Sequence, residues 1–594
     1  MKKKVQPQAK IAPPEKGFWL NGKLAVLFLI AACVLIYLPT FWYGFSPMDE
    51  RWLIFKQQEM MSHLSNMPTL FKSSMMGMYY RPICMSSFML DLVMGNGSAF
   101  IFHFTNVLLH VLCTVLLYRF LIQINLSRNF AFFALLIFAV HPINVHTVAW
   151  IPGRNDSLLC LFTLLSCSLL LSYFKTKKIH HFILHLLVFG LALFTKENAI
   201  VLPVIYFLLW FVFAKTENKK SILVPALSWL IVGIVWFLLR KHFVDYLPPA
   251  YYGSFGRSLW FFLEALISYS GKIFLPIEQS VLPNLRDMSI IPFLIVVLAL
   301  AILAFKVGFE NKKIAFFGLA WFYIFLAIPA WTGATSTNAD QYEHRIYTSL
   351  IGAFIFLSQL KITINPTTVK RLALVVIIVF STKTVLRCNV YKNEFSYAKA
   401  ATVEAPSIAL FHDMLGYMYV EKNEFGKAIE NFNVAIDLDP HRTEFYNNRG
   451  YAYFEIKDYQ HALEDDNKAL ELRKSQPETM INRSMANFFL GNHQAALQDL
   501  EMGRQMGASN IERRYVTDLF TAIEKDTIVM YNQMLEKDSL NASLYNERGI
   551  AKMKLKLFQQ AFDDFDRAEM LNPASEAIRK NRQIALSNLA NKRQ

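Results

Sequence analysis

The sequence predicts an all-α protein in which a polytopic membrane domain is followed by a soluble solenoid of helical repeats. Three observations support this prediction. Of the 594 residues, 54% are hydrophobic and 18% are charged, which is less charge than a soluble protein of this size carries. Apolar runs of about 17 to 22 residues, the length of a helix that crosses a bilayer, recur from Leu20 to about Leu386. Beyond them the chain is charged, and similar helical positions recur every 34 residues.

These features divide the chain into four parts. Residues 1–20 form a basic tail that is expected to be cytoplasmic, and residues 21–388 form the membrane domain. Residues 389–406 are a linker, and residues 407–594 form the repeat domain, which ends in a capping helix. No small-residue cleavage site follows the first apolar run, so it is interpreted as a retained span and not as a signal peptide.

Eleven apolar runs are predicted to cross the membrane. Loops rich in Lys and Arg face the cytosol, which places the N-terminus inside and, after an odd number of crossings, the repeats outside. The stretch "SLWFFLEALISYSGKIFLP" (258–276) is predicted to lie in the outer interface, because Glu264 and Lys272 interrupt it and a crossing would turn the later Lys-rich loops outward. The eleven runs are about 21–43, 99–121, 130–150, 156–174, 180–194, 198–214, 221–239, 290–305, 314–331, 346–360 and 371–387.

Neither the basic residues nor the cysteines indicate a nucleic-acid-binding protein or a metalloprotein. The formal net charge is +15, but many of the basic residues lie in short loops between spans, where they set orientation; we expect no nucleic-acid partner. The six cysteines show no metal-ligand spacing. His103 and His110 are interpreted as packed polar groups. No Asp-any-Asp motif or histidine cluster requires a metal, so neither a metal nor another cofactor is expected.

The soluble part has the marker positions of tetratricopeptide repeats, in which small residues lie where two helices touch and aromatic residues fill between them. Residues 510–541 are degenerate, so four units are recognisable. Such arrays form a concave surface that holds extended peptides; a purely structural spacer is the alternative. The markers are Leu415, Gly416, Tyr419, Ala428, Phe432, Ala435 and Pro440 in the first unit, Tyr446, Gly450, Tyr453, Ala462 and Ala469 in the second, Ser484 and Ala496 in the third, and Tyr545, Gly549, Ala561, Phe565, Ala568 and Pro573 in the last.

The loops assigned to the outer face carry carboxylates and cations together, and ionisable groups at membrane depth are usually functional. Asp49 and Glu50, in "FSPMDERWLIF", could supply a general base. Cationic side chains could bind a phosphate, and the candidates are Arg345, Arg81, Lys196 and Arg154. A base opposite a bound phosphate is what sugar transfer from a lipid phosphate to a hydroxyl requires. The polar residues expected to support such a site are His141, Asp156, Glu197, Glu343 and Tyr80.

Each candidate also has a structural interpretation. Asp49 could be a solvated loop acid, and Arg81 and Arg345 could anchor their loops. His141 precedes Pro142 and could only cap the end of a span. Local ion pairs would account for the others, namely Glu50 with Arg51 or Arg81, Arg154 with Asp156, and Lys196 with Glu197.

Five stretches resemble a known family: "YRPICMSSFMLD", "FHFTNVLLH", "FAVHPINVHTVAWIPGRNDSLL", "KENAIVLP" and "EHRIYTSLIG". In this order, with repeats after them, they are similar to the transmembrane and tetratricopeptide-repeat-containing O-mannosyltransferases and their bacterial relatives. The resemblance implies a GT-C fold, inverting transfer from a polyprenyl-phosphate-linked sugar, mannose in the best-known members, and a Ser or Thr acceptor in a protein.

The same resemblance implies that the acidic pair after the first span, Asp49 and Glu50, carries catalysis. Animal members tend to have two aspartates there, whereas the Asp-Glu form is similar to that of the broader protein O-mannosyltransferases. Which carboxylate is the base therefore stays open, with Asp49 favoured. The repeat array is also shorter than in the animal proteins.

Two other functions remain as alternatives. A membrane-anchored repeat scaffold or chaperone would explain the repeats but not the acid–base loops. A transporter or lipid flippase would need ionisable residues in mid-span, and here they lie at span ends. The short array and short loops favour a bacterial inner membrane with the repeats in the periplasm. The alternative is the endoplasmic reticulum membrane with the repeats in the lumen, for which Asn482 and Asn541 offer N-x-Ser/Thr sequences.

Overall fold

The computed structural model describes residues 22–46, 50, 53–75, 77–214, 219–244, 255–283, 287–335, 342–362, 365–508 and 513–592. Across these ranges the regular secondary structure is helical, with two isolated β-bridges, which confirms the predicted all-α class. The chain forms two compact units, Met1–Ser407 and Ile408–Gln594. Each unit has its own hydrophobic core.

The first unit is built from helices of very different length, joined by short 3₁₀ turns. A helix forms at each of the eleven apolar runs. The longer helices are α1 (Gly22–Tyr37), α2 (Pro82–Met94), α3 (Ala99–Gln123), α4 (Arg128–Val140), α5 (Arg154–Thr176), α6 (Ile179–Leu193), α7 (Leu202–Phe213), α8 (Leu223–Phe243), α9 (Phe255–Lys272), α10 (Ile291–Val307), α11 (Lys312–Ala334), α12 (Leu350–Leu357), α13 (Pro366–Cys388) and α14 (Glu394–Glu404).

Several of these helices indicate a multi-pass membrane protein. Among the described residues, five helices are long and apolar enough to cross a membrane, and a bent pair raises the number to six. Four further apolar helices have 10–17 residues. The first unit is therefore a bundle of apolar helices, as predicted, while the predicted count of eleven crossings is not confirmed.

The prediction of one continuous span over 130–150 is wrong. Helix α4 ends at Val140, and the chain bends by 51° into Pro142–Val148. Pro142 is the physical reason, because proline restricts the residue before it and has no N–H for a helical hydrogen bond. His141 compensates at the break, since its Nδ1 accepts from the backbone N–H of Ile143 at 3.2 Å.

Two Lys-rich loops that the sequence places on the same membrane side do lie together. The backbone N–H of Lys361 donates to the oxygen of Gly308 at 3.1 Å, and that of Glu310 donates to Gln359 at 2.8 Å. Helix α11 starts at this end of the bundle and α12 finishes there. The turn between α11 and α12, which carries the sequence "EHRIY", is consequently at the other end.

Helix α9 is the stretch expected in the outer interface, and the described part of it is amphipathic. Its apolar face is solvent-exposed in the isolated chain, including Phe255 and Trp260. Its opposite face packs on α10 and α11: a Cβ on Gly271 would lie 2.5 Å from Phe293, and Ser270 shares a hydrogen bond with Tyr323 at 3.2 Å. Lys272, at its end, is thereby held inside the bundle.

Helices α11 and α12 cross at two facing glycines. A Cβ built on Gly352 would lie 2.4 Å from the carbonyl oxygen of Gly318 and 2.6 Å from the backbone nitrogen of Phe322. A Cβ on Gly318 would lie 2.5 Å from the nitrogen of Phe356. Membrane helices pack closely through small residues of this kind, so this crossing fixes where the segment before α12 can lie.

We expect Gly352→Val to destabilise the first unit by about 2–3 kcal/mol, because the new methyl groups would meet backbone atoms that cannot move independently. Thermal unfolding of the full chain in detergent measures this loss. Gly190→Val in α6 is the matched control, since a Cβ there meets no atom within 4 Å. Equal losses for both variants would show that the loss comes from helix propensity and not from the crossing.

The second unit is a solenoid of helical hairpins, as the repeat pattern predicts. Residues 510–541 are the stretch in which the repeat pattern is degenerate. Their described part forms one long helix, α21, whereas a repeat hairpin would have two helices. The helices are α15 (Ala409–Glu421), α16 (Phe425–Leu438), α17 (Thr443–Glu455), α18 (Tyr459–Leu472), α19 (Pro477–Phe489), α20 (His493–Gln505), α21 (Arg513–Lys537), α22 (Ala542–Lys554), α23 (Phe558–Leu571) and α24 (Glu576–Lys592).

Arginine clamps recur along the solenoid. Arg449 in α17 binds both carboxylate oxygens of Asp465 in α18 at 2.7 and 2.8 Å, and its Nη1 reaches Asn433 in α16 at 2.6 Å. Each clamp therefore joins two consecutive hairpins. The same pattern recurs in Arg483 with Asp499 and Asn467, and in Arg548 with Asp564 and Asn532.

Candidate functional site

The acidic loop after α1 is only partly described. Asp49 lies outside the described residues, as does Arg51. Glu50 is buried, with 1% of its surface exposed, and its carboxylate accepts a hydrogen bond from the backbone N–H of Ser46. The proposed pairing of Glu50 with Arg81 is wrong, because Arg81 binds a different carboxylate.

Backbone contacts fix the start of this loop beside the end of α13. The N–H of Gly44 donates to the oxygen of Lys392 at 3.1 Å, and Tyr43 Oη donates to Asn389 at 2.9 Å. His103 Nε2 lies 3.3 Å from the oxygen of Gly44. The acidic loop therefore begins next to the carboxyl end of the last long helix of the first unit.

Lys196 and Asp156 form a buried ion pair. Lys196 Nζ lies 2.7 and 2.6 Å from the two Asp156 oxygens and 3.0 Å from Asn155 Oδ1, so three acceptors engage its three N–H groups. Burial lowers the pKa of Lys196, and Asp156 opposes that shift. The local pairs of Lys196 with Glu197 and of Arg154 with Asp156 are both wrong.

Arg81 binds Glu197 through two nitrogens, Nε at 2.8 Å and Nη2 at 2.7 Å. The second Glu197 oxygen accepts from the backbone N–H of Tyr80 at 3.2 Å. Tyr80 Oη donates to the oxygen of Phe71 at 2.8 Å, which ties the tyrosine to the loop before α2. The Arg81 side chain keeps 13% of its surface exposed.

Arg154 is enclosed, and all three of its guanidinium nitrogens hydrogen-bond to protein atoms. Nη2 lies 2.5 Å from Asp91 Oδ2 and 2.8 Å from the oxygen of Phe102. Nε donates to Asn106 at 2.7 Å, and Nη1 donates to the oxygen of Ser87 at 3.2 Å. The side chain has no exposed surface. This geometry favours a structural role, joining α2, α3 and α5, over the phosphate contact that its sequence position suggested.

The turn before α12 carries Glu343 and Arg345. Glu343 is buried and accepts from Lys272 Nζ at 2.9 Å and from Gln279 at 3.3 Å. Arg345 donates from Nη1 to the oxygen of Pro329 at 2.8 Å and stacks on Tyr342, 5.0 Å from the ring centre. Arg345 is only partly buried, so among the four predicted phosphate ligands it and Arg81 are the accessible ones.

His141 has the capping role that was the structural alternative. Besides accepting from Ile143, it shares a hydrogen bond between Nε2 and the oxygen of Ile273 at 2.8 Å. With Nδ1 accepting, Nε2 carries the proton. Both ring nitrogens are thus occupied, and the residue secures the bend after α4 to the loop that follows α9.

Sequence reasoning missed two histidines at the centre of this region. The rings of His146 and His344 are 4.8 Å apart, and His146 is 4.8 Å from Trp150. Both histidines are buried, and within the described part of the chain Nδ1 of each lacks a hydrogen-bond partner, as does Nε1 of Trp150. Burial holds the pKa of His344 well below its usual range, and neighbouring cations lower it further. Its imidazole is therefore neutral at pH 7.

Sequence reasoning also missed Lys272 and Arg387. Lys272 pairs with Glu343, and Arg387 pairs with Glu404 of α14. The signal for Lys272 was present, because a lysine interrupts the apolar stretch 258–276. In the sequence, this lysine indicates only that the stretch does not cross the membrane, and nothing marks it as part of a site.

Side chains that are distant in sequence converge around the two histidines. His344 Nε2 is 3.8 Å from Asp156, and the charges of Lys196, Arg345 and Arg81 act on both His344 and Asp156. Such a cluster contains the cations and neutral N–H donors that bind anions in proteins. The described residues contain no group of three or more His, Cys, Asp or Glu that could hold a metal ion.

A cavity of about 380 Å³ adjoins this region between α9, α10, α11 and α12. Its walls are mainly apolar, with Ile273 and Phe274 at one end and Phe309 and Leu360 at the other. Ile273 follows Lys272, which pairs with Glu343 next to His344, and its backbone oxygen bonds to His141. One wall residue of the cavity therefore adjoins the polar cluster. The first unit is therefore the helical bundle of a membrane protein, with buried ion pairs gathered beside an apolar cavity, and the second is a tetratricopeptide-repeat solenoid.

Comparison with known proteins agrees with both halves of this description. Residues 84–239 match the family model described as dolichyl-phosphate-mannose-protein mannosyltransferase. Residues 416–457 and 443–476 match models of tetratricopeptide repeats. The resemblance inferred from the sequence motifs, a mannosyltransferase-type membrane segment joined to repeats, is confirmed.

Several curated proteins to which this chain is similar are named protein O-mannosyl-transferases. The Mus musculus protein O-mannosyl-transferase TMTC1 is 44% identical over 88 residues, 15% of this chain and 9% of the relative. TMTC2 of Mus musculus is 43% identical over 96 residues, 16% and 11% of the two chains. A Caenorhabditis elegans protein O-mannosyl-transferase is 23% identical over 376 residues, 61% and 54% of the two chains. This chain thus spans about half or less of each relative.

Proposed function

We propose that this protein is a membrane glycosyltransferase that moves a sugar from a polyprenyl-phosphate carrier to Ser or Thr hydroxyls of a protein. Mannose is the proposed sugar. The observation that carries the proposal is the convergence of Arg81, Asp156, Lys196, His344 and Arg345 from four separate segments. A scaffold would have no need for this costly cluster. The names of the relatives support the same reaction class.

The reaction is an inverting displacement in one step. The acceptor hydroxyl oxygen bonds to the anomeric carbon on the face opposite the phosphate, while the bond between that carbon and the phosphate oxygen breaks. The departing lipid phosphate takes the electron pair, and Asp49 takes the hydroxyl proton. The buried Glu50 accepts a hydrogen bond from the backbone N–H of Ser46, so its proposed role is structural.

Two cations are the proposed phosphate ligands. Arg345 and Arg81 are partly accessible, and their planar guanidinium groups match phosphate oxygens. Lys196 acts through Asp156, which it holds toward His344. Glu197 orients Arg81 and also accepts from the backbone of Tyr80. Arg154, Glu343 and His141 hold the surrounding helices and turns in place through the contacts described above. The neutral ring of His344 can donate to a phosphate or sugar oxygen without adding charge.

The apolar cavity is the proposed place of the polyprenyl chain. Its wall of aromatic and aliphatic side chains suits an isoprenoid, and one wall residue, Ile273, adjoins the polar cluster. The repeats are proposed to bind the acceptor protein. We place the protein in a bacterial inner membrane with the repeats in the periplasm; an endoplasmic reticulum membrane with luminal repeats is the alternative setting.

A transfer assay tests this proposal. The purified full chain in lipid nanodiscs receives polyprenyl-phosphate mannose or polyprenyl-phosphate glucose, together with Ser/Thr-rich peptides. We expect one hexose to be added per modified hydroxyl, read by mass spectrometry, and none on matched peptides in which Ala replaces Ser and Thr. Peptide binding without hexose addition from either donor would support the scaffold function instead.

A further inference from the structure

The second repeat carries a carboxyl group at a core position where the first and last units carry an aromatic ring and the third carries Leu500. Phe432 of the first repeat packs on Gly416, and Phe565 of the last hairpin packs in the same way on its own helical glycine. In the second repeat this position is Asp466, 34 residues after Phe432. Its carboxyl group lies under Gly450, with 3.2 Å between Oδ1 and a Cβ built on the glycine.

Among the described residues, Oδ1 of Asp466 has no hydrogen-bond partner, although only 1% of the residue is exposed. Burial holds the pKa of this carboxyl well above its usual range, and the neighbouring Asp465 raises it further. Buried polar groups are normally satisfied. The nearby Arg483 does not fill this role, since it binds both oxygens of Asp499.

The missing ring leaves a cavity of about 180 Å³ beside Asp466. The cavity opens between α17 and α19, the first helices of two consecutive hairpins. Its walls combine apolar side chains with Asp466 and a second carboxylate, Glu455. The walls include Tyr451, Phe454, Glu455, Asn482 and Met485.

We propose that the Asp466 cavity is a binding pocket for one lysine or arginine side chain of an extended polypeptide. The methylene stem would lie against Phe454 and Met485, and the cationic end would give Asp466 its missing partner. Tyr451 and Glu455, both exposed, lie at the rim where the rest of the polypeptide passes. The pocket would help the repeats to hold the acceptor protein. Only the identity of the bound polypeptide as the acceptor rests on the proposed function.

Binding of matched peptides to the full chain in detergent tests the pocket. The probes are fluorescent Gly/Ser/Thr peptides that contain a single central lysine or, in its place, norleucine. We expect the lysine peptide to bind about tenfold more tightly, and this preference to disappear in Asp466→Asn. It should persist in Asp563→Asn, a control in the last hairpin whose exposed carboxylate binds only Gln559 among the contacts described.

A second variant separates binding from folding. Asp466→Phe introduces the ring that the first and last repeats have at this position, so we expect the α17–α19 segment to exchange amide hydrogens more slowly and the lysine preference to be lost. An equal lysine preference in the wild type and Asp466→Asn would overturn the proposal, as would the absence of any lysine preference in the wild type. Asp466-dependent binding without hexose transfer would leave the pocket in place and contradict only the transferase function.

Discussion

Replacing Asp49 by asparagine is expected to lower the rate of sugar transfer about 10²–10⁴-fold, the usual contribution of a general base. Asparagine has a similar size but cannot accept the hydroxyl proton. Glu50 is buried and accepts a hydrogen bond from the backbone N–H of Ser46, so we expect it to replace Asp49 as the base only poorly. The measurement is the initial rate with saturating donor and acceptor, together with donor binding, which should change little.

Two further variants make this prediction specific. Glu50→Gln keeps an acceptor for the Ser46 N–H, so the rate should fall about tenfold or less. Glu59→Gln changes an exposed acid of the same loop and should leave the rate unaltered. The opposite outcome would contradict our assignment. If Glu50→Gln lost about 10²–10⁴-fold of the transfer rate and Asp49→Asn transferred sugar normally, Glu50 would be the base.

Arg154→Met is expected to destabilise the first unit by about 3–5 kcal/mol, the cost of leaving one partner of a buried ion pair unpaired. Asp91 would keep only its bond from Thr105, at 2.8 Å, and the acceptors on α2 and α3 would lose their donors. The measurement is thermal unfolding of the full chain in detergent, with transfer activity recorded below the unfolding temperature.

The double variant Arg154→Met with Asp91→Met tests the structural role directly. Replacing both partners by apolar groups removes the unpaired charge, so much of the lost stability should return. Activity should return with it. A stable Arg154→Met protein with a raised KM for the lipid donor would instead make Arg154 a phosphate ligand, as its place in the sequence suggested.

The parts of the fold that were predictable depend on periodic patterns. Apolar runs of bilayer length located the helices of the first unit, and the 34-residue period located the hairpins of the second. Pro142 signals the helix break at His141, but the apolar run continues beyond it and therefore predicts one unbroken span over 130–150. The single helix α21 could not be derived, since a degenerate repeat carries no period.

Partner choice in the polar cluster was harder to predict. Lys196 and Glu197 are adjacent in sequence, yet they bind Asp156 and Arg81, because the turn that begins at Glu197 sends consecutive side chains to different neighbours. Nearness along the chain is therefore a poor guide to ion pairing. Burial was equally hidden: neither His146 nor His344 differs in sequence from a surface histidine.

The arginine clamps of the solenoid also determine how it comes apart. Since each clamp joins its own hairpin to the helix before it, Arg449 loses its bond to Asn433 if the preceding hairpin unravels. In a linear array this strengthens nearest-neighbour coupling relative to the intrinsic stability of a single hairpin. Strong coupling suppresses partly frayed states, so the clamped hairpins should melt as one cooperative block and offer any bound polypeptide a rigid cradle.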